Sequence, residues 1–247
     1  MKFDSIRIVL VETSHPGNIG SSARAMKTMG LSRLYLVNPE AFPDQRALDL
    51  AAGADDLLHQ AVIVNSLQEA LHGCQLVFGT SARHRDIALR GVTPAECAQV
   101  MTEVGDDTQI ALVFGRESSG LTNQELLQCQ YHIHIPTEPT FSSLNLSQAV
   151  QIMDYEIRMR GLLPKAQVTY KQDALAKADE VERFYQHLEE VLIAIDFLKL
   201  SNPKRLQERL RRLFNRAQLE AMEINILRGI LTHIQHHIAV KHEAIKD

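Results

Sequence analysis

Three short polar segments in the first two thirds of the chain hold residue types that bind anions or orient hydroxyl groups. In His15 to Met26 (HPGNIGSSARAM), Arg24 stands among Gly20, Ser21, Ser22, Ala23 and Ala25, which put little bulk around it. A long cation of permanent charge in that setting suits a phosphate or a developing oxyanion, and suits an ordinary surface salt bridge as well. Asn18, ahead of it, is a preferred N-cap type and is expected to open a helix. The second segment, ALVFGRESSGLT at 111 to 122, leads an apolar strand into a loop bracketed by Gly115 and Gly120, with Arg116, Glu117, Ser118 and Ser119 between them. Glycines there let backbone approach a ligand at the end of a strand, where open α/β sheets bind their ligands. The spacing is that of a phosphate loop, but Leu121 stands where its lysine belongs, which argues against a nucleoside triphosphatase. The third segment, FSSLNLS at 141 to 147, gathers Ser142, Ser143 and Asn145 ahead of a helix, a set that orients a polar ligand or caps the helix.

The elements that must position these segments follow from periodicity. Short β-branched or aromatic runs at Ser5–Val11, Leu34–Val37, Ala61–Val64, Gln75–Phe78, Gln109–Phe114 and Tyr131–Ile135 are expected as strands. Capping boxes start helices between them: Ser66 with Glu69, Thr93 with Glu96 and Pro94 behind it, and Thr122 with Glu125. Alternating strands and helices predict an α/β fold with a mostly parallel sheet covered on both faces. From Ser147 an apolar stripe of Val150, Met153 and Ile157 predicts a longer helix, closed near Gly161 and Pro164. We expect a first domain over residues 1–163, a polar linker over 164–175 and a small all-α appendage over 176–247. Its helical stretches, 176–200, 204–214 and 217–240, are broken at Asn202-Pro203 and near Asn215.

Composition narrows the function classes. A charge of −4 over 247 residues offers no global affinity for nucleic acid, so any basic surface must be local. One candidate is KRLQERLRRLFNR, where Lys204, Arg205, Arg209, Arg211, Arg212 and Arg216 face a single Glu208, while Leu206, Leu210, Leu213 and Phe214 fall at helical spacing to pack. Such a charged face is a solvated surface or a binding site for RNA phosphates. Cys74, Cys97 and Cys129 form no CxxC pair and are expected as reduced, partly buried thiols. His233, His236 and His237 lack a carboxylate or cysteine to complete a metal site and are expected to be exposed or capping. The N-terminal MKFDSIRIVLVE enters a strand without the regions of a signal peptide, and no apolar run reaches membrane-spanning length, so a cytoplasmic location is expected. A nicotinamide oxidoreductase is disfavoured, because no GxGxxG follows the first strand.

Taken together, Asn18 to Arg24, LVFGRESSGL at 112 to 121 and SSLNLSQAV at 142 to 150 resemble, in order and spacing, the three motifs of the ribose 2′-O-methylating branch of the SPOUT superfamily of RNA methyltransferases. Further likeness in RIVLVETSHPGN, GTSAR at 79 to 83, LRRLFNRA and NILRGIL is to tRNA cytidine/uridine 2′-O-methyltransferases, and it runs along nearly the whole chain. The resemblance implies a deep trefoil knot and a homodimer in which Arg24 faces the cofactor of the other subunit. It implies S-adenosylmethionine held by Thr80, Ser81, Ala82, Gly115, Ile135, Ser143 and Leu144, and tRNA as substrate, methylated in the anticodon loop at position thirty-two. Catalytic roles fall by resemblance on Arg24, Asn18, Ser143, Asn145 and Glu117, with Glu117 either a brace for its loop or a participant. A sulfonium is already a good leaving group, so transfer to a ribose hydroxyl needs a base and in-line geometry but no metal. Arg24 fits an anchor for phosphate and oxyanion better than a base, although the resemblance carries both roles. The same residues leave open ribosomal RNA or another tRNA position as target, and an RNA-binding protein that retains the fold without turnover.

Overall fold

A computed structural model of the chain describes residues 2–81, 89–163, 174–199 and 205–244. The strands are β1 (Ile6–Val11), β2 (Arg33–Val37), β3 (Val62–Val64), β4 (Leu76–Thr80), β5 (Arg90–Val92), β6 (Ile110–Phe114) and β7 (Tyr131–Ile133). Among them run α1 (Pro16–Met29), α2 (Gln45–Ala51), α3 (Asp55–His59), α4 (Leu67–Leu71), α5 (Pro94–Glu103) and α6 (Asn123–Leu126), followed by α7 (Leu146–Leu162), α8 (Ala178–Ala194), α9 (Leu206–Ala217) and α10 (Ala221–Ala244). Every pair of neighbouring strands is parallel, in the order β3-β2-β1-β6-β4-β7-β5.

The alternation of side chains along β1 assigns its two faces. Ile6, Ile8 and Leu10 enter one core with Ile19, Ala23 and Met26 of α1 and Val150, Met153 and Ile157 of α7. Val9 and Val11 enter another with Leu67, Ala70 and Leu71 of α4. Burial on both faces is why β1 and β6 read as near-continuous apolar runs. Because β6 lies between β1 and β4, with Leu10 paired to Phe114 and Gly79 to Val113, the loops that leave β1, β6, β4 and β7 emerge side by side. Those loops hold the three polar segments.

The small residues of α1 have a partner. A Cβ on Gly20 would lie 2.0 Å from the Ala47 carbonyl oxygen, so only glycine lets α2 pack this closely. The expected strands are all present within a residue or two of their predicted bounds, whereas β5, α2 and α3 were not foreseen. Each is too short for periodicity to show, and β5 carries Gly91 at its centre. Asn18 does not cap α1: the helix begins at Pro16 behind His15, since proline fixes φ at a position with no N–H to satisfy. The helix expected from Ser147 starts at Leu146, with Asn145 as its cap, accepting from the Ser147 N–H at 2.9 Å. All three cysteines are fully buried, not partly.

Helices α8 and α10 pack around Phe184, Tyr185, Val191, Ile224 and Leu231, and α9 adds Phe214. This helical region is tied to the sheet by polar contacts that apolar spacing did not reveal. The break expected near Asn215 falls at residues 218–220, between α9 and α10; Asn215 itself lies in the last turn of α9, and its buried Nδ2 donates to the carbonyls of Leu127 and Cys129 at 3.0 and 3.1 Å. Its Oδ1 accepts from the Tyr185 hydroxyl at 2.8 Å. Gly73 donates its N–H to Asp179, and Ala178 donates its own to the Cys74 carbonyl. Most of the expected linker, residues 164–173, lies outside the described residues, and Leu175 at its far end pairs with Glu220.

Candidate active site

The loop after β6 is braced through three glutamates, two that hold Arg116 and one, Glu117, that belongs to the loop itself. Arg116 donates from Nε to Glu12 at 2.7 Å and from both terminal nitrogens to Glu125 at 3.0 Å, the paired geometry of a guanidinium on a carboxylate. Glu125 also caps α6, accepting from the Thr122 N–H at 2.7 Å. Partial burial acts to raise the Glu125 pKa, yet Arg116 and the Thr122 N–H hold it below the usual carboxylate range. Across the loop Gly120 donates its N–H to the Arg116 carbonyl at 2.8 Å. At the loop's entry, a Cβ on Gly115 would lie 2.2 Å from the Gly120 carbonyl carbon, so the loop can return on itself only if that residue is glycine.

Glu117 points the other way, to the start of α1. It accepts from the Ser14 N–H and hydroxyl, both at 3.1 Å, from the His15 N–H at 3.2 Å and from Asn18 Nδ2 at 2.9 Å. The side chain at the helix N-cap position, His15, makes no capping bond, and the Glu117 carboxylate from a distant loop instead takes up the N–H groups just ahead of α1, at the positive end of the helix dipole. Burial pushes the Glu117 pKa up, but the bonds from Asn18, Ser14 and His15 outweigh it and leave the value lowered.

Asn18 then carries the connection onward: its Oδ1 accepts from Asn145 Nδ2 at 2.9 Å, while Asn145 Oδ1 accepts from Ser147. Glu117, Asn18 and Asn145, one from each polar segment, therefore form a single hydrogen-bonded chain. Each amide has one possible orientation within it, because a carboxylate can only accept. Beside the chain lies a cavity of about 240 Å³, walled by the glycine loop, the ends of β4 and β7 and the start of α7.

Of the expected cofactor residues, Thr80, Ser81, Gly115, Ile135, Ser143 and Leu144 line this cavity, as does Glu117. Ala82 lies outside the described residues. Thr80 donates its hydroxyl to the Val113 carbonyl at 3.0 Å, which fixes the end of β4 against β6. Sequence reasoning missed Phe114, Ile133, Leu146 and Ala149, which join Ile135 and Leu144 in the apolar part of the lining. Their signal was available: Phe114 and Ile133 end strands that feed the loops, and Ala149 falls one turn from Asn145. An apolar slot rimmed by hydroxyls and one carboxylate fits a ligand that joins a flat ring system to a cationic, polar chain.

Arg24 is placed elsewhere. It is exposed on α1, outside the lining of the cavity, and its side chain makes no ion pair or hydrogen bond among the described residues. Of the expected RNA-binding cations, Lys204 lies outside the described residues, while Arg205, Arg209, Arg212 and Arg216 are exposed. Arg211 corrects the expectation. It donates from both terminal nitrogens to Glu182 at 2.7 Å and lies 4.4 Å from the Tyr185 ring centroid, so its charge joins α9 to α8 and is not offered to a ligand. Leu213 is a second correction: expected to pack, it is exposed. His233, His236 and His237 are exposed, and among the described residues no group of His, Cys, Asp and Glu could hold a metal.

The chain matches the family model described as the SpoU rRNA methylase family over residues 5–155. A second model, the C-terminal domain of the tRNA methyltransferase TrmJ, matches residues 179–244. It is 52% identical over 234 residues to the tRNA (cytidine/uridine-2′-O-)-methyltransferase TrmJ of Pectobacterium atrosepticum, covering 94% of this chain and 97% of that one. Identity to the tRNA (cytidine/uridine/adenosine-2′-O-)-methyltransferase TrmJ of Pseudomonas aeruginosa is 51%, with 94% of each chain covered. Among solved structures, TrmJ from Z. mobilis superimposes with a TM-score of 0.82 at 32% identity, covering 93% of this chain and 98% of that one. With the glycine loop and the start of a capped α7 lining one cavity, and with likeness along nearly its full length, the chain belongs to the SpoU methylase family and, within it, to the TrmJ group.

Proposed function

We propose that the protein is a tRNA methyltransferase that moves the methyl group of S-adenosylmethionine to the ribose 2′-hydroxyl of cytidine or uridine in the anticodon loop, at position thirty-two. The observation that carries the reading is the Glu117–Asn18–Asn145 chain beside the glycine-loop cavity, since it joins all three polar segments at one ligand-sized space. High identity to TrmJ proteins of that activity supports the choice of substrate.

The cavity fits S-adenosylmethionine: Phe114, Ile133, Ile135, Leu144 and Leu146 offer an apolar slot for an adenine ring, and Thr80, Ser81 and Ser143 offer hydroxyls to its sugar and amino-acid ends. When bound, the cofactor supplies an electrophilic methyl group on a sulfonium that departs as a neutral thioether. Asn145 and Ser143 orient the incoming ribose, with Asn145 held by Asn18 and Ser147. Glu117 serves as a brace, because its oxygens are engaged by α1. Arg24 anchors RNA phosphate and the developing alkoxide across a homodimer: it does not line the cavity of its own chain. Tyr155, Met159 and Leu162, exposed along α7, supply an apolar stripe for the second copy. Residues 1–163 form the methyltransferase unit, knotted at the loops that bind cofactor. Residues 176–247, beyond the linker at 164–175, hold tRNA through the exposed arginines of α9, and the enzyme works in the cytoplasm.

The test is methyl transfer from labelled S-adenosylmethionine to unmodified tRNA by the purified protein, with the modified nucleotide mapped. Ribose methylation at one anticodon-loop pyrimidine is expected. Methylation of a base, or of ribosomal RNA in preference to tRNA, would overturn the reading.

A further inference from the structure

Phe141 is 81% exposed, in a protein whose other phenylalanines at the sheet are buried. Among the described residues only Tyr155 and Phe197 are other large aromatics so exposed; the first lies on the α7 stripe and the second beyond α8. Phe141 alone stands at the candidate site, directly before Ser142 and Ser143, which line the cavity. At about 3.8 Å per residue its ring is within one side chain's reach of the cavity mouth.

The backbone holds it there. Phe141 donates its N–H to the Glu138 carbonyl at 2.9 Å, closing a tight turn, and Thr137 donates its hydroxyl to the Ser142 carbonyl at 3.4 Å. The ring is thus presented at the end of a braced turn, behind Pro139 and Thr140, and not left on a loose strand of chain. An apolar ring kept in water beside a polar site is explained by a ligand with a flat apolar face. A ribose cannot reach the cavity unless its nucleotide leaves the stack of its neighbours, and an unstacked base finds a replacement partner in an aromatic side chain.

Resting on the function proposed above, we infer that Phe141 is an RNA-binding residue: its ring stacks on the base of the nucleotide whose ribose is methylated and holds that nucleotide out of the loop. Stacking of this kind accepts any base, because every base has a π-face, so Phe141 positions the nucleotide without reading its identity.

The test uses the full-length protein and three variants, Phe141→Ala, Phe141→Leu and Phe141→Trp. Phe141→Ala and Phe141→Leu are expected to lower kcat/KM for tRNA by on the order of tenfold, and tRNA affinity in the presence of S-adenosylhomocysteine by a similar factor. Phe141→Trp retains both, and cofactor affinity and sedimentation are unchanged in all three. Full activity in Phe141→Leu would show that bulk suffices and overturn stacking. Loss of cofactor binding or of assembly in Phe141→Ala would overturn it too, making the ring structural. The affinity arm reads stacking even if the wild-type protein transfers no methyl group, an outcome that would sink the proposed function alone.

Discussion

The glycine loop after β6 and the basic helix α9 are built to the same plan. Each contains one arginine committed inside the chain, Arg116 to Glu12 and Glu125 and Arg211 to Glu182. Exposed cations elsewhere have no such duty: Arg24 on α1, and Arg209, Arg212 and Arg216 on α9. The difference lies in what surrounds the committed arginine. Arg116 braces a loop against a sheet buried on both faces, whereas Arg211 joins two helices that share a small core. Counting cations along a sequence therefore overstates a binding surface, since the best-placed arginine of each group serves the fold.

The contrast between fold and function can be broken most severely at Arg24. Arg24→Ala is expected to lower kcat by about 100- to 1000-fold through lost oxyanion and phosphate stabilisation, with cofactor affinity and melting temperature intact. Single-turnover kinetics and calorimetry on one preparation check this, and a folded variant unable to bind cofactor would place Arg24 in the cradle instead.

Arg116→Ala should act in the opposite sense, on stability first. It leaves Glu125, whose side chain is only 15% exposed, without its partner and costs about 3 kcal/mol in chemical denaturation, with cofactor binding lost as the loop relaxes. Arg211→Ala should cost about 2 kcal/mol and loosen the helical region, without changing how tRNA affinity depends on salt. Replacing Arg209, Arg212 and Arg216 together by alanine should do the reverse. The fold is unaffected, affinity for tRNA falls by on the order of tenfold, and the slope of log affinity against log salt flattens by about 2. Equal slopes for the triple variant and the wild type would remove α9 from the RNA surface.

The smallest effect is expected at Asp154 on α7, fully buried with neither carboxylate oxygen hydrogen-bonded among the described residues. Burial raises its pKa well above the ordinary value, so the folded chain keeps a proton that the unfolded chain releases above about pH 4. Its contribution is complete below that pH and is lost as pH rises toward the folded-state pKa. Asp154→Asn should therefore raise the midpoint of chemical denaturation at pH 8 and leave it nearly unchanged at pH 4. Denaturation at the two pH values measures it, and an unchanged difference between them would mean that Asp154 is ionised in the fold.

The sequence alone determined the parts that depend on local chemistry. Apolar runs of strand length marked all but one of the strands, capping boxes marked the starts of α4, α5 and α6, and the composition of the glycine loop marked it as a candidate ligand site. The three polar segments were recognisable as a set because, in order and spacing, they resemble the three motifs of one family. Tertiary structure decided which groups are free to act. Asn18 looked like a cap and is a bridge, because Pro16 starts α1 earlier and a carboxylate a hundred residues away takes up its side-chain N–H. Arg211 looked like a phosphate ligand and is a clamp, and Asn215, which marked only the approach of a break, is a dock. In each case the deciding partner comes from a distant part of the chain. Helical spacing reports which neighbours a residue has on its own helix, but not which carboxylate or carbonyl another element will bring to it.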